Sequence, residues 1–158
     1  MSQTVKPLLK DIVRNDWIDY NGHMTDSAYA IVFSMAVDRL MIELGIDVDF
    51  RNQYHFSIFT LETHLCYIKE AHEGQVLHVT IQLLDYDLKR LHVFFVMVND
   101  KGDRLATSEQ MLMGMDMTEG RPAPFPITIK RRIENMANDY RFHPMPNEAG
   151  RKIGIRKN

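Results

Sequence analysis

Residues 26–44 constrain the fold more than any other part of the chain. At helical spacing, Tyr29, Val32, Phe33, Met35, Ala36, Val37, Leu40, Met41 and Leu44 cover almost the whole circumference. Only a narrow stripe of Ser34, Asp38 and Glu43 is polar. A helix apolar nearly all round has to be enclosed by other elements rather than laid on a surface. Thr25 or Asp26 suits the N-cap, the Asp26 carboxylate suits the positive helix end, and Gly45 suits the stop.

The walls come from residues 54–117, where the period changes from helical to alternating. Residues 54–69 alternate, with Phe59, Leu61, Leu65 and Tyr67 on one face and Phe56, Ile58, Thr60, Glu62, His64 and Cys66 on the other. At ~3.3 Å per residue this strand would be about 50 Å long, so it has to bend, twist or break. Residues 70–74 turn the chain and 75–85 form the next strand. Residues 85–89 turn again, and 91–98, apolar on both faces, reads as a central strand. Asn99-Asp100-Lys101-Gly102-Asp103 is a hairpin turn before the last long strand, 104–117. Before the helix, 8–15 reads as a short strand and 16–25 as a loop. After the sheet, the prolines of 120–126 break regular structure. Residues 127–138 suit a short helix, and 141–158 a loose, mostly basic tail.

This order predicts an α+β chain: a curved antiparallel sheet wrapped around one long buried helix. Residues 1–126 make that domain, and 127–158 add a short helix and a basic tail packed on it or extending from it. Such a sheet leaves an edge strand, whose pairing with a second copy predicts a homodimer, or a homotetramer assembled from dimers.

Composition removes several function classes. A net charge of −2 offers no broad attraction for nucleic acid or an anionic membrane. No apolar run approaches the ~20 residues of a membrane span, and residues 1–6 lack the apolar core of a secretory signal. Cys66 is the only cysteine, so an internal disulfide is impossible, which fits a cytoplasmic location. There is no Gly-x-Ser-x-Gly elbow, no P-loop and no Gly-x-Gly-x-x-Gly turn, and the seven histidines lack metal-ligand spacing. Neither metal nor cofactor is expected.

The chemistry is concentrated in Trp17-Ile18-Asp19-Tyr20-Asn21-Gly22-His23-Met24-Thr25-Asp26. Asp19 sits among aromatics just before an Asn-Gly turn. Two readings of it stand: it caps the turn, or, in a water-poor setting, it serves as a base. The turn leads into the buried helix, whose first N–H groups lack intrahelical partners and can polarise a carbonyl.

This stretch resembles the Asp-x-x-Gly-His-Met/Val-Asn-x-x-x-Tyr segment of hotdog-fold acyl-CoA thioesterases of the 4-hydroxybenzoyl-CoA thioesterase type. Here it reads Asp19-Tyr20-Asn21-Gly22-His23-Met24-Thr25-Asp26-Ser27-Ala28-Tyr29. Thr25-Asp26 replaces the Asn-Asn or Asn-His of many members, which leaves the role of position 26 open. Glu62-Thr63-His64, Glu70-Ala71-His72-Glu73-Gly74 and Lys89-Arg90-Leu91-His92-Val93-Phe94 look like the thioesterases of bacterial carnitine breakdown, which act on betainyl-CoA.

The resemblance implies a thioester hydrolase for betainyl-CoA or a similar short cationic acyl-CoA. Asp19 would then attack the carbonyl or activate water, and the Asp26 amide would polarise it. Asn21, Gly22 and His23 would shape the loop, and Glu62 is a second candidate base. Trp17, Tyr20, Tyr29 and Tyr54 are candidates for holding the cation, with Asp26 as counter-charge, and Lys89 and Arg90 for meeting coenzyme A phosphates. Alternatives are a general short-chain or aromatic acyl-CoA thioesterase, a hotdog that binds acyl-CoA or a choline-like ligand without turnover, and, more weakly, a dehydratase.

Overall fold

The computed structural model describes residues 6–157, so most of the N-terminal segment tested for a secretory signal lies outside the described residues. Helix α1, Asp26–Glu43, lies in the hollow of an antiparallel sheet. Ala28, Tyr29, Val32, Phe33, Ala36, Val37, Leu40 and Met41 are its buried residues. Its exposed stripe is wider than the sequence suggests, because Ile31 and Ile42 also reach the surface. The helix stops as expected. Gly45 N–H donates to the Ile42 carbonyl at 3.0 Å and Ile46 N–H to the Met41 carbonyl at 2.8 Å, satisfying orphan carbonyls.

The strands are β1 (Leu9–Ile12), β2 (Phe56–Tyr67), β3 (Val76–Tyr86), β4 (Arg90–Val98), β5 (Arg104–Asp116) and the short β6 (Arg121–Pro122). Their order across the sheet is β1-β3-β4-β5-β2, with β6 beside β5. The strand apolar on both faces, β4, is central as expected. Leu91, Val93, Phe95 and Met97 look into the core. Phe94, on the other face, is also buried.

Three differences from the sequence reading have physical causes. The first strand is shorter than 8–15, because Asn15–Trp17 forms a 3₁₀ turn that seats Trp17 in the core. The alternation assigned to 54–69 starts only at Phe56. Val48–Tyr54 is a second helix, α2, capped by the Asp47 carboxylate on Phe50 N–H at 2.8 Å. Within β2 the register slips between Thr60 and Glu62, so Leu61 is an extra residue and the faces exchange. Phe56 and Ile58 pack in the core before the bulge, and Leu65 packs against it after the bulge.

The C-terminal segment is less loose than expected. Helix α3, Ile127–Tyr140, buries Ile129 and Ile133 in the core, and its Arg132 reaches the Glu43 carbonyl at the end of α1. The chain then crosses the outer face of the sheet. The Pro144 carbonyl accepts from Gln82, Glu148 pairs with Arg104, and Gly150 N–H donates to Glu109. Residues 151–157 are exposed.

Candidate active site

The Asp19 segment is a three-residue hairpin. Asp19 N–H donates to the His23 carbonyl at 2.9 Å, and Gly22 N–H donates to the Asp19 carbonyl at 3.0 Å. Gly22 has φ of +79°, the left-handed conformation such a loop needs and a side chain resists. The Asp19 side chain completes the turn, with Oδ1 accepting from Asn21 N–H at 2.8 Å and His23 N–H at 3.3 Å. Oδ2 meets no protein donor among the described residues. Both roles considered for Asp19 are therefore structurally compatible: one oxygen holds the turn and the other can act.

The hairpin is tied to the turn between β2 and β3. Met24 N–H donates to the Ala71 carbonyl at 2.8 Å, and His23 pairs with His72 in an isolated bridge, their rings 5.0 Å apart. His23 Nε2 lies 3.1 Å from Glu70 Oε2. Thr25 N–H donates to the Trp17 carbonyl, which delivers the chain to the start of α1.

At that start, Thr25 makes no side-chain cap. Ser27 N–H is taken by the Asp26 carboxylate at 2.9 Å and Ala28 N–H by the Thr25 carbonyl at 3.0 Å. The Asp26 N–H meets no acceptor among the described residues. It stands as an unpaired donor at the positive helix end, the arrangement that favours a developing oxyanion.

Beside it lies an open cleft of about 270 Å³, whose walls include Asp26, Tyr29, Tyr67 and Glu70. The Tyr29 and Tyr67 rings meet edge to face, 5.2 Å apart at 85°. Tyr67 donates its hydroxyl to the Asp26 carbonyl at 3.2 Å, and Tyr29 Oη accepts from Ala71 N–H at 3.2 Å. Burial pushes the Tyr29 phenol up, opposed by that N–H and aided by the Glu70 charge. Burial likewise pushes the Tyr67 phenol up, followed by the charge of Asp26.

The other sequence candidates are scattered within one protomer. Trp17 is 5% exposed and takes the Arg14 guanidinium on its ring, so it supports the hairpin from beneath. Tyr20, 97% exposed, cannot keep water from Asp19. Glu62 lies five residues along β2 from Tyr67, roughly 16 Å away at the rise of a strand. It lines a separate cavity of about 420 Å³ on the outer face with His64, His92 and Glu109. Tyr54 stacks on Phe50 in α2, at the opposite end of β2 from Tyr67. Lys89 and Arg90 stand near that same end, where the Lys89 carbonyl accepts from Gly114 N–H and the Arg90 side chain is engaged by Asp87. Sequence reasoning missed Tyr67 and the cleft-facing position of Glu70. Both stand in segments singled out in the sequence, but only the tertiary fold brings them to the helix start.

Four similarities bear on this geometry. Residues 13–133 match the thioesterase-like superfamily. Over 141 residues the chain is 42% identical to the betainyl-CoA thioesterase of Pseudomonas aeruginosa PAO1, covering 89% of each. It is 37% identical to part of the L-carnitine dehydrogenase/betainyl-CoA thioesterase of Rhizobium meliloti, spanning 28% of that fused protein. The structure of SAV2348 from Staphylococcus aureus, solved in complex with CoA, superposes with a TM-score of 0.90 at 31% identity, covering 99% of both chains. The helix enclosed by a curved antiparallel sheet is a hotdog, and the chain belongs to the thioesterase-like superfamily.

Proposed function

We propose that this protein hydrolyses betainyl-CoA, or a similarly short cationic acyl-CoA, to the free acid and coenzyme A. The observation that carries this reading is the 42% identity, over 89% of both chains, to a betainyl-CoA thioesterase. The geometry supports the chemistry. The free Asp19 oxygen acts at the thioester carbonyl, as nucleophile or as base to water, while the Asp26 N–H takes the charge that develops on the carbonyl oxygen. The carbon–sulfur bond then breaks and coenzyme A leaves as its thiol.

The working unit is a homodimer joined along β2. This strand is twelve residues long, sits at the sheet edge and exposes Phe59 and Leu61. Unprotected edges of this kind invite pairing. An antiparallel two-fold pairing centred near Leu61 sets the Tyr67 end of one β2 against the Phe56 end of the other. Tyr54, Lys89 and Arg90 of the second copy would then approach the Asp26 cleft, uniting residues that one protomer keeps apart. A cytoplasmic location suits a coenzyme A thioester and a lone free cysteine.

Free-thiol release from betainyl-, acetyl-, butyryl- and hydroxybenzoyl-CoA tests the reading. The highest kcat/KM is expected for betainyl-CoA, and a higher value for a neutral acyl group would overturn the substrate assignment.

A further inference from the structure

A quaternary ammonium has no N–H to donate. A protein recognises it through aromatic faces and nearby negative charge, not hydrogen bonds. The cleft beside the start of α1 offers both. Tyr29 and Tyr67 stand at 85° to one another and so make two adjoining walls of a box. Both walls are fixed before any ligand arrives, Tyr67 through the Asp26 carbonyl and Tyr29 through Ala71 N–H. Prior ordering of this kind lowers the entropic cost of binding.

Within one protomer the charge of the cleft walls is net negative. Asp26 and Glu70 line it, and their fields act on the two phenols. Lys69 also lines it, but its Nζ is held 2.8 Å from Asp103 Oδ2, which offsets its charge. The cleft, about 270 Å³, has room for a short headgroup. Of the sequence candidates for this task, Tyr29 lines the cleft, whereas Trp17 and Tyr20 do not and Tyr54 of the same protomer lies on α2.

We propose that Tyr29, Tyr67, Asp26 and Glu70 form the clamp that selects a quaternary-ammonium acyl group, with Tyr67 and Glu70 as its specificity-determining residues. This rests on the proposed thioesterase function and goes beyond it by naming what separates a cationic acyl group from a neutral one of the same shape. Glu70 also positions the catalytic hairpin through His23, so the clamp and the Asp19 loop share one carboxylate.

The decisive comparison is betainyl-CoA against 3,3-dimethylbutyryl-CoA, in which a carbon replaces the quaternary nitrogen. The readout is the ratio of kcat/KM for the two thioesters, measured on the full chain. Wild type is expected to favour the cationic substrate. Tyr67→Leu should lower that ratio about tenfold, while Tyr67→Phe, which keeps the ring face, should largely preserve it. Glu70→Gln should lower it severalfold at low salt and less at high salt, as expected for a partly exposed charge. Thermal unfolding verifies that each variant is folded. If Tyr67→Leu does not fold, Glu70→Gln decides alone. If wild type favours betainyl-CoA and the folded variants keep its ratio, the clamp is overturned and the substrate assignment stands. If wild type shows no preference, or turns over neither thioester, both are overturned.

Discussion

His23 stands opposite Asp19 across the hairpin, donating its backbone N–H to Asp19 Oδ1 at 3.3 Å while its ring reaches Glu70 at 3.1 Å. The hairpin is thereby clamped from both sides. The carboxylate is oriented by backbone amides, and the loop is held to the sheet through the β2–β3 turn.

Asp19→Asn separates the two roles of that side chain. The asparagine carbonyl oxygen can still accept from the two amides, so the turn persists. The variant can neither attack nor deprotonate water, and kcat should fall by roughly 10²–10⁴. Thiol release and thermal unfolding, measured together, check this. A folded variant with the wild-type rate would remove Asp19 from the chemistry.

The exposed β2 edge makes a separate prediction about assembly. Phe59→Lys with Leu61→Lys should shift the protein from dimer to monomer in light scattering, because charges on a strand edge oppose edge pairing. Activity should fall with it, since the monomer keeps Tyr54, Lys89 and Arg90 far from the Asp26 cleft. A wild-type monomer with full activity would refute the shared site.

Gly114→Ala tests packing near the end of β5. A Cβ there would sit 2.8 Å from the Ala123 carbonyl oxygen and 2.9 Å from Phe56 Cζ. The chain behind β6 and the Phe56 ring would both have to move. The expected cost is roughly 1–3 kcal/mol, seen as a melting point several degrees lower.

The C-terminal strap carries a pH signature. Arg104 grips Glu148 through two hydrogen bonds of 2.7 and 3.1 Å, holding its carboxyl below the ordinary glutamate value of 4.5. A depressed carboxyl stabilises the fold fully above that ordinary value, and the gain is lost as pH falls through the folded value. Glu148→Gln should therefore melt a few degrees lower than wild type at pH 7, for about 1 kcal/mol. The gap should narrow below the ordinary glutamate value of 4.5. Melting curves of both proteins across that window check it.

Much of the fold was legible because the hydrophobic period is unambiguous. Nothing but burial suits residues 26–44, and nothing but a central strand suits 91–98. The bulge at Leu61 left no trace, because Phe59 and Leu61 are both apolar and the alternation runs on across the extra residue. Helix α2 escaped notice because it is short, although Asp47 ahead of Val48 is a readable cap signal. The hairpin and the helix start were legible because they are local in sequence. The aromatic corner was not, since Tyr29 and Tyr67 are thirty-eight positions apart and meet only through the sheet's curvature.

That single surplus residue in β2 has a consequence for variation. Phe56 and Leu65 are nine positions apart, yet both look inward. Deleting one codon at Leu61 would remove the surplus residue, join Thr60 directly to Glu62 and restore an unbroken alternation, with Glu62 still opposite Met111 and Tyr67 still opposite Ala106. A lone frame-preserving deletion at this position would thus straighten the edge strand while leaving the wall of the cleft in place.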